Sequence, residues 1–269
     1  MIGKALKHSL LAIFAILLIQ PGFVFAAVEP LPDARIVINI PSRTLWLYSG
    51  DKIVDYYPVG VGTADYPTPL GSFHIIDKVL DPDFENPFRA PGTTKAIPGG
   101  TPQSPLGTRW MGFYQDNGGE YGIHGTNAPG TVGKFSSHGC IRMNIPDAEA
   151  LFSRVDFGTP VEITYEQVLV ELEPENKALS LIVYPDVFSR GKPSFDEVEQ
   201  RILNQFPKAK LDIAMIEQAL KTPAEKPVLV GTVTPEAGDP VLSVLGKLNP
   251  APPTDTWTKR LFSSDATIH

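Results

Sequence analysis

The chain has 269 residues, 42% hydrophobic and 20% charged, the balance of a globular protein with room for one large core and a smaller second one. A net charge of −7 argues against nucleic acid as a partner, because phosphate backbones are bound through basic surfaces. The 27 prolines and 23 glycines point to many turns and a mainly β fold, not a helical bundle.

Residues 1–26 have the layout of a secretory signal peptide. Lys4 and Lys7 are followed by an apolar run from Ser9 to Ile19, the helix-breaking Pro21 and Gly22, and Val24-Phe25-Ala26 at the cleavage position. The run is shorter than the roughly 20 residues of a membrane span. The expectation is export to the periplasm or cell wall after cleavage, with an uncleaved N-terminal anchor as the competing reading. Loss of Lys4 and Lys7 with the leader deepens the charge from −7 to about −9.

Arg35–Ile40 and Thr44–Tyr48 read as short strands about the turn Pro41-Ser42-Arg43, and Ile53–Val61 as a third, together an antiparallel sheet. Asp65–Gly71 is a rigid proline turn leading into a strand over Ser72–Ile76. His74 alternates with apolar neighbours there and reads as an ordinary strand residue. Asp77–Gly107 has no sustained period and reads as a long loop walling a substrate cleft. Arg109–Tyr114 and Tyr121–His124 are strands joined by the turn residues Asp116-Asn117-Gly118-Gly119. A helix is expected over Pro146–Val155, capped by Asn144, with Asp147 and Glu149 favouring its positive end. Val161–Tyr165 is the last strand of a main domain over 34–165.

Beyond it, Gln167–Glu173 and Ala178–Tyr184 form a hairpin. Ser194-Phe195-Asp196-Glu197 is a capping box that opens a helix to about Phe206, and Asp212 caps a second helix to about Lys221. These make a small α+β extension over 166–221. Residues 222–269 read as a proline-bearing, partly disordered tail with one apolar run at Val228–Val233.

The chemistry concentrates around Cys140, the only cysteine in the chain. It cannot form an intrachain disulfide, so in an exported protein it is an intermolecular link, a thiol with a job or a small buried hydrophobe. A thiol attacks carbonyls as the thiolate and needs a base beside it. His138 lies two residues away and His124 ends a strand on a separate segment. A base usually approaches its nucleophile from another element, so His124 is the expected base, within hydrogen-bonding reach of Cys140. The Gly125 carbonyl could hold its tautomer, and Gly139 permits a sharp turn that aims the amides of Gly139 and Cys140 at one oxyanion. His124, His138 and Cys140 could instead ligate zinc, but no Cys-x-x-Cys pair or fourth ligand accompanies them. Arg142 is either a solvated charge or an anion anchor. No cofactor or metal is expected.

His124-Gly125-Thr126-Asn127 followed by Ser137-His138-Gly139-Cys140-Ile141-Arg142-Met143 resembles the signature of the L,D-transpeptidase (YkuD-type) catalytic domain. Thr68-Pro69-Leu70-Gly71-Ser72-Phe73 and Ser104-Pro105-Leu106-Gly107 are also similar to recurrent segments of that family, and the likeness covers Ala34–Tyr165. It implies a β-sandwich-like fold and peptidoglycan stem peptides as partners. Cys140 would attack the diamino acid–D-Ala bond of a tetrapeptide, form a thioester and release D-Ala. An amine would resolve the thioester, either another stem (a 3→3 cross-link) or a lysine of an envelope lipoprotein. By the same resemblance His124 is the base and Gly125 its orienter. His138, Gly139 and Cys140 line the oxyanion side, and Ser137, Arg142 and Asn127 stand on the substrate side. Water as acceptor would make a carboxypeptidase or wall hydrolase, and an unreactive Cys140 a wall-binding protein. The residues after Tyr165 match no nameable module.

Overall fold

In the computed structural model, residues 29–86, 95–116, 119–173 and 177–233 are described. The expected signal peptide and residues 234–269 of the expected tail lie outside them.

The first hairpin pairs β1 (Ala34–Asn39) with β2 (Thr44–Ser49). Arg43 closes it with a left-handed backbone (φ 52°), an uncommon conformation for a non-glycine residue. β3 (Lys52–Pro58) pairs with the other edge of β2. The strand expected to run on to Val61 stops at Pro58, which has no N–H to continue a ladder. Val61–Gly62 forms a separate short strand, β4. β5 (Gly71–His74) leads to β6 (Asp77–Leu80), β7 (Arg109–Asp116) and β8 (Gly119–Gly125). The expected loop over 77–107 therefore opens with a strand. β6 is a short, charged edge strand, a form that protects an exposed edge and hides the hydrophobic alternation. His74 is exposed on β5.

Two strands flank the cysteine, β9 (Phe135–Ser137) and β10 (Ile141–Met143). α1 (Ile145–Arg154) follows. Asn144 occupies its N-cap position, but the side-chain amide donates to the Asp147 carboxylate (3.2 Å) and caps no backbone N–H. The far end is held by Lys78, whose Nζ donates to the carbonyls of Phe152 (3.0 Å) and Val155 (2.6 Å). A cation is favourable there, where the helix dipole is negative. β1, β2 and β3 pair antiparallel as expected, and β11 (Pro160–Thr164) returns parallel to β1, so the full first sheet, ordered β3-β2-β1-β11-β5, is mixed.

The second sheet is ordered β10-β8-β7-β6, and β4 pairs with β9 beside it. Ile36, Ile38, Leu45, Leu47, Val161 and Ile163 of the first sheet share one core with Met111, Phe113, Ile123, Ile141 and Met143 of the second. Ala148, Leu151 and Val155 join it from α1 and its end. The result is a β-sandwich-like domain with a single helix of more than one turn, among the described residues.

β12 (Val168–Glu173), β13 (Ala178–Val183), α2 (Phe195–Gln205), β14 (Ala209–Leu211), α3 (Ile213–Lys221) and β15 (Val228–Val233) complete the described residues. Their sheet is ordered β12-β13-β15-β14, and α2 and α3 add Val198, Ile202, Ile216 and Ala219 to its core. Both expected caps form: Ser194 and Glu197 make the reciprocal capping box, and Asp212 accepts from the Met215 amide. The apolar run Val228–Val233, expected in an irregular tail, is instead an inner strand of this sheet.

β2 explains how the two units join. Its inward Leu45 and Leu47 fill the sandwich, while Trp46 and Tyr48 on the other face pack against Leu169 and Ile182 of the second unit. The strand is buried on both faces. The Trp46 indole N–H is buried without an acceptor, so this ring contributes by apolar contact alone. Arg43 makes a second tie, pairing with Glu225 and lying 5.0 Å over the Phe135 ring of β9.

Trp46→Ala should therefore destabilise the chain by about 3–5 kcal/mol and expose the 165–168 junction to limited proteolysis. Trp46→Phe, which removes the unpaired N–H, should cost much less. Thermal unfolding and proteolysis of both variants check this, and equal losses in the two would contradict it.

Candidate active site

Strands β8 and β10 run parallel, with Ile141 beside Ile123, Arg142 beside His124 and Met143 beside Gly125. Ile123, Ile141 and Met143 are fully buried in the sandwich core. Side chains alternate along a strand, so His124 and Arg142 stand on the opposite face, and Cys140, one residue ahead of β10, comes to the same side. On the other flank of β8, Trp110 is the cross-strand partner of His124. Its ring stacks on the imidazole, with centroids 5.8 Å apart and planes at 22°.

His124 is 4% exposed. Its Nδ1 lies 2.5 Å from the Gly125 carbonyl oxygen. A carbonyl can only accept, so Nδ1 carries the proton, and the neutral ring keeps its lone pair at Nε2. Burial drives the imidazole pKa down to about 4; the Gly125 bond opposes this, and the Arg142 guanidinium adds to it.

The Cys140 thiol is free and half-buried. Burial pushes its pKa up. The Gly122 amide, hydrogen-bonded to the sulfur, and the charge on Arg142 pull it down, and Glu120 raises it. Sγ donates to the Glu120 carbonyl at 3.7 Å. Thiol and imidazole are thus both uncharged at neutral pH.

The expected hydrogen bond from Cys140 to His124 is not made in this geometry; the thiol faces Glu120 instead. Cys140 is level with Gly122, two residues short of His124 on the neighbouring strand, a diagonal spacing of about 7 Å. Long contacts between catalytic groups are common before substrate arrives.

The remaining expected residues take several roles. Gly139 has φ +111°, and a Cβ there would come within 2.6 Å of the Tyr121 ring, so glycine is required. Its N–H donates to Ser137 Oγ (3.1 Å), which removes it from the expected pair of converging amides. Ser137 is 1% exposed and its hydroxyl donates to the Cys140 carbonyl (2.6 Å). It holds the turn and does not stand on the substrate side. The Asn127 side-chain amide donates to the Gln103 carbonyl (2.9 Å), tying the 95–107 segment to the end of β8, and is engaged there instead of lining the thiol. His138 is exposed beside the thiol turn, its ring 4.5 Å from that of Tyr66. Arg142 is half-buried with its charge directed at both His124 and Cys140. Among the described residues no three His, Cys, Asp or Glu side chains group as metal ligands.

Residues 33–163 match the family model of the L,D-transpeptidase catalytic domain (YkuD). YqjB of Bacillus subtilis, an L,D-transpeptidase by name, is 40% identical over 56% of this chain and 84% of its own length. The chain belongs to the L,D-transpeptidase family. YkuD of Bacillus licheniformis is 39% identical over 48% of this chain and 65% of the relative. YcfS of Escherichia coli is 34% identical over 58% of this chain, which spans only 52% of that relative. Among solved structures, an L,D-transpeptidase of Enterococcus faecium is similar at 25% identity and a TM-score of 0.40, over 49% of this chain and 50% of that one.

Several neighbours of the thiol and the imidazole in this L,D-transpeptidase domain escaped the sequence reading. Trp110 and Glu120 act through a ring face and a backbone carbonyl, and Gly122 through its amide. Only Trp110 left a signal, as an apolar residue in a strand adjoining the histidine strand. Among the described residues no helix is long and apolar enough to cross a membrane.

An NMR titration of the His124 ring should give a midpoint near pH 4, and Cys140 should develop thiolate absorbance only at alkaline pH. The unfolded chain takes up the histidine proton first, at about pH 6.5. This ring's contribution to stability is therefore present above that pH and lost as pH falls towards 4. A midpoint near 6.5, or thiolate at neutral pH, would contradict the neutral pair.

Proposed function

We propose that the protein is an exported peptidoglycan L,D-transpeptidase in which Cys140 is the nucleophile and His124 the base. The observation that carries this reading is the His124–Gly125 bond, which leaves Nε2 unprotonated on the sheet face that Cys140 shares. Family membership supplies the substrate class.

The stem tetrapeptide binds with the carbonyl between its diamino acid and terminal D-Ala over Cys140. His124 Nε2 takes the thiol proton as Sγ attacks, so a charged thiolate never has to rest in a half-buried site. The tetrahedral oxyanion accepts from Cys140 N–H. The C–N bond then breaks, the imidazolium returns its proton to the leaving amine, and D-Ala departs from a thioester. An acceptor amine repeats the sequence in reverse: its nitrogen attacks the thioester carbonyl, His124 takes the surplus proton, and the proton returns to Sγ as the C–S bond breaks. The Gly125 carbonyl steadies the imidazolium in both halves, while Arg142 beside the sulfur favours the developing thiolate and disfavours premature protonation of the ring. The acceptor amine comes from a second stem or from a lipoprotein lysine.

Incubation of the chain without its first 26 residues with tetrapeptide muropeptides should release D-Ala and give 3→3 dimers. Cys140→Ala should abolish both products. His124→Ala should slow them by about 10²–10⁴-fold, the worth of a positioned general base. Equal turnover by Cys140→Ala would sink the reading, and tripeptides without dimers would assign the acceptor role to water.

A further inference from the structure

We propose that Thr68 is a positioning residue that aims the Cys140 amide at the oxyanion; the inference rests on the acyl-transfer reading above. Thr68 is 2% exposed and lies 71 residues from the glycine it touches. Its hydroxyl accepts from the Gly62 amide (3.0 Å) and donates to the Gly139 carbonyl (2.8 Å). That carbonyl belongs to the peptide whose nitrogen is the Cys140 amide. A trans peptide is planar, with N–H and C=O pointing in opposite directions, so a hydroxyl that holds the oxygen also fixes the direction of the N–H.

The peptide on the other side of Cys140 is held in the same way, by the Ser137 hydroxyl on the Cys140 carbonyl. Two hydroxyls thereby pin the two peptide planes that meet at the nucleophile's Cα. Ser137 rides on the same turn as Cys140, whereas Thr68 anchors that turn to a separate segment.

The mount for Thr68 is rigid. Pro67 and Pro69 flank it, one with a fixed φ of its own and the other restricting Thr68 to an extended backbone. The segment folds directly onto β4, because a Cβ on Gly62 would lie 2.3 Å from the Tyr66 carbonyl oxygen and 2.5 Å from the Thr68 nitrogen. β4 is itself paired with β9, the strand that enters the cysteine turn. The hydroxyl therefore sits on a frame that moves with the catalytic turn, and its donor and acceptor capacities are both used.

The test is acylation of Cys140 by the carbapenem imipenem, followed by mass spectrometry and stopped-flow. In that step Sγ bonds to the lactam carbonyl carbon, the lactam C–N bond breaks, and the thiol proton ends on the lactam nitrogen, so the same oxyanion forms. Thr68→Val should lower the maximal acylation rate on the order of 10–100-fold while the carbapenem concentration for half-maximal rate stays near the wild-type value. Thr68→Ser, which keeps the hydroxyl, should restore most of the rate. Should Thr68→Val fail to fold, Thr68→Ala takes its place with the same expectations. Wild-type rates in the hydroxyl-free variant, a Thr68→Ser variant as slow as Thr68→Val, or a wild-type Cys140 that is not acylated would each overturn the inference. Muropeptide turnover, measured separately, judges the transpeptidase reading: acylation that depends on Thr68 with no muropeptide turnover would sink that reading alone.

Discussion

The parallel pairing of β8 with β10 is the constraint on which the site depends. It sets Arg142 beside His124 and brings Cys140 level with Gly122. A slip of one residue would turn every side chain of the moved strand to the other face. What resists the slip is the core, because Ile123, Ile141 and Met143 must stay in the sandwich. Each such side chain contributes about 1.5–3 kcal/mol by burial, so the register of the chemistry is fixed by the packing behind it. The polar face needs little further adjustment: Trp110 and the Gly125 carbonyl hold the ring, and Ser137 and Thr68 hold the thiol turn.

Burial also decides the charge state. A thiolate–imidazolium pair would require two ions in a place where water is largely excluded, and both groups are shifted towards neutrality. The proposed mechanism accordingly creates charge only as bonds change, and Cys140 N–H meets it where it develops. Arg142 has a double effect, since its charge favours thiolate and opposes imidazolium. On a proton passing from thiol to imidazole the two effects oppose each other.

Much of this was legible in the residues. Alternation and turn chemistry located β1, β2, β7, β8 and the two capped helices, and the lone cysteine with its two histidines marked the site. What escaped reading has physical causes. β6, β9 and β10 are too short for a periodic signal, and β9 and β10 are strands only because neighbours pair with them. β15 looked like part of an irregular tail because its place in a sheet depends on β13 and β14. The roles of Ser137, Asn127 and the Gly139 amide depend on which acceptor lies nearby, and sequence spacing does not report that. Thr68 read as a turn residue between prolines, since its partner lies 71 positions away. Membership in the L,D-transpeptidase family agrees with the resemblance carried by the His124 and Cys140 motifs.

The most direct test of the central claim is a crystal structure of the enzyme acylated at Cys140. The account predicts a thioester on Sγ whose carbonyl oxygen lies within hydrogen-bonding distance of Cys140 N–H. It also predicts that His124 Nε2 faces the acyl carbon from the side where the amine leaves and arrives, with Nδ1 still on the Gly125 carbonyl. An acyl group on another residue, or a thioester oxygen directed at Arg142 with His124 turned away, would contradict it.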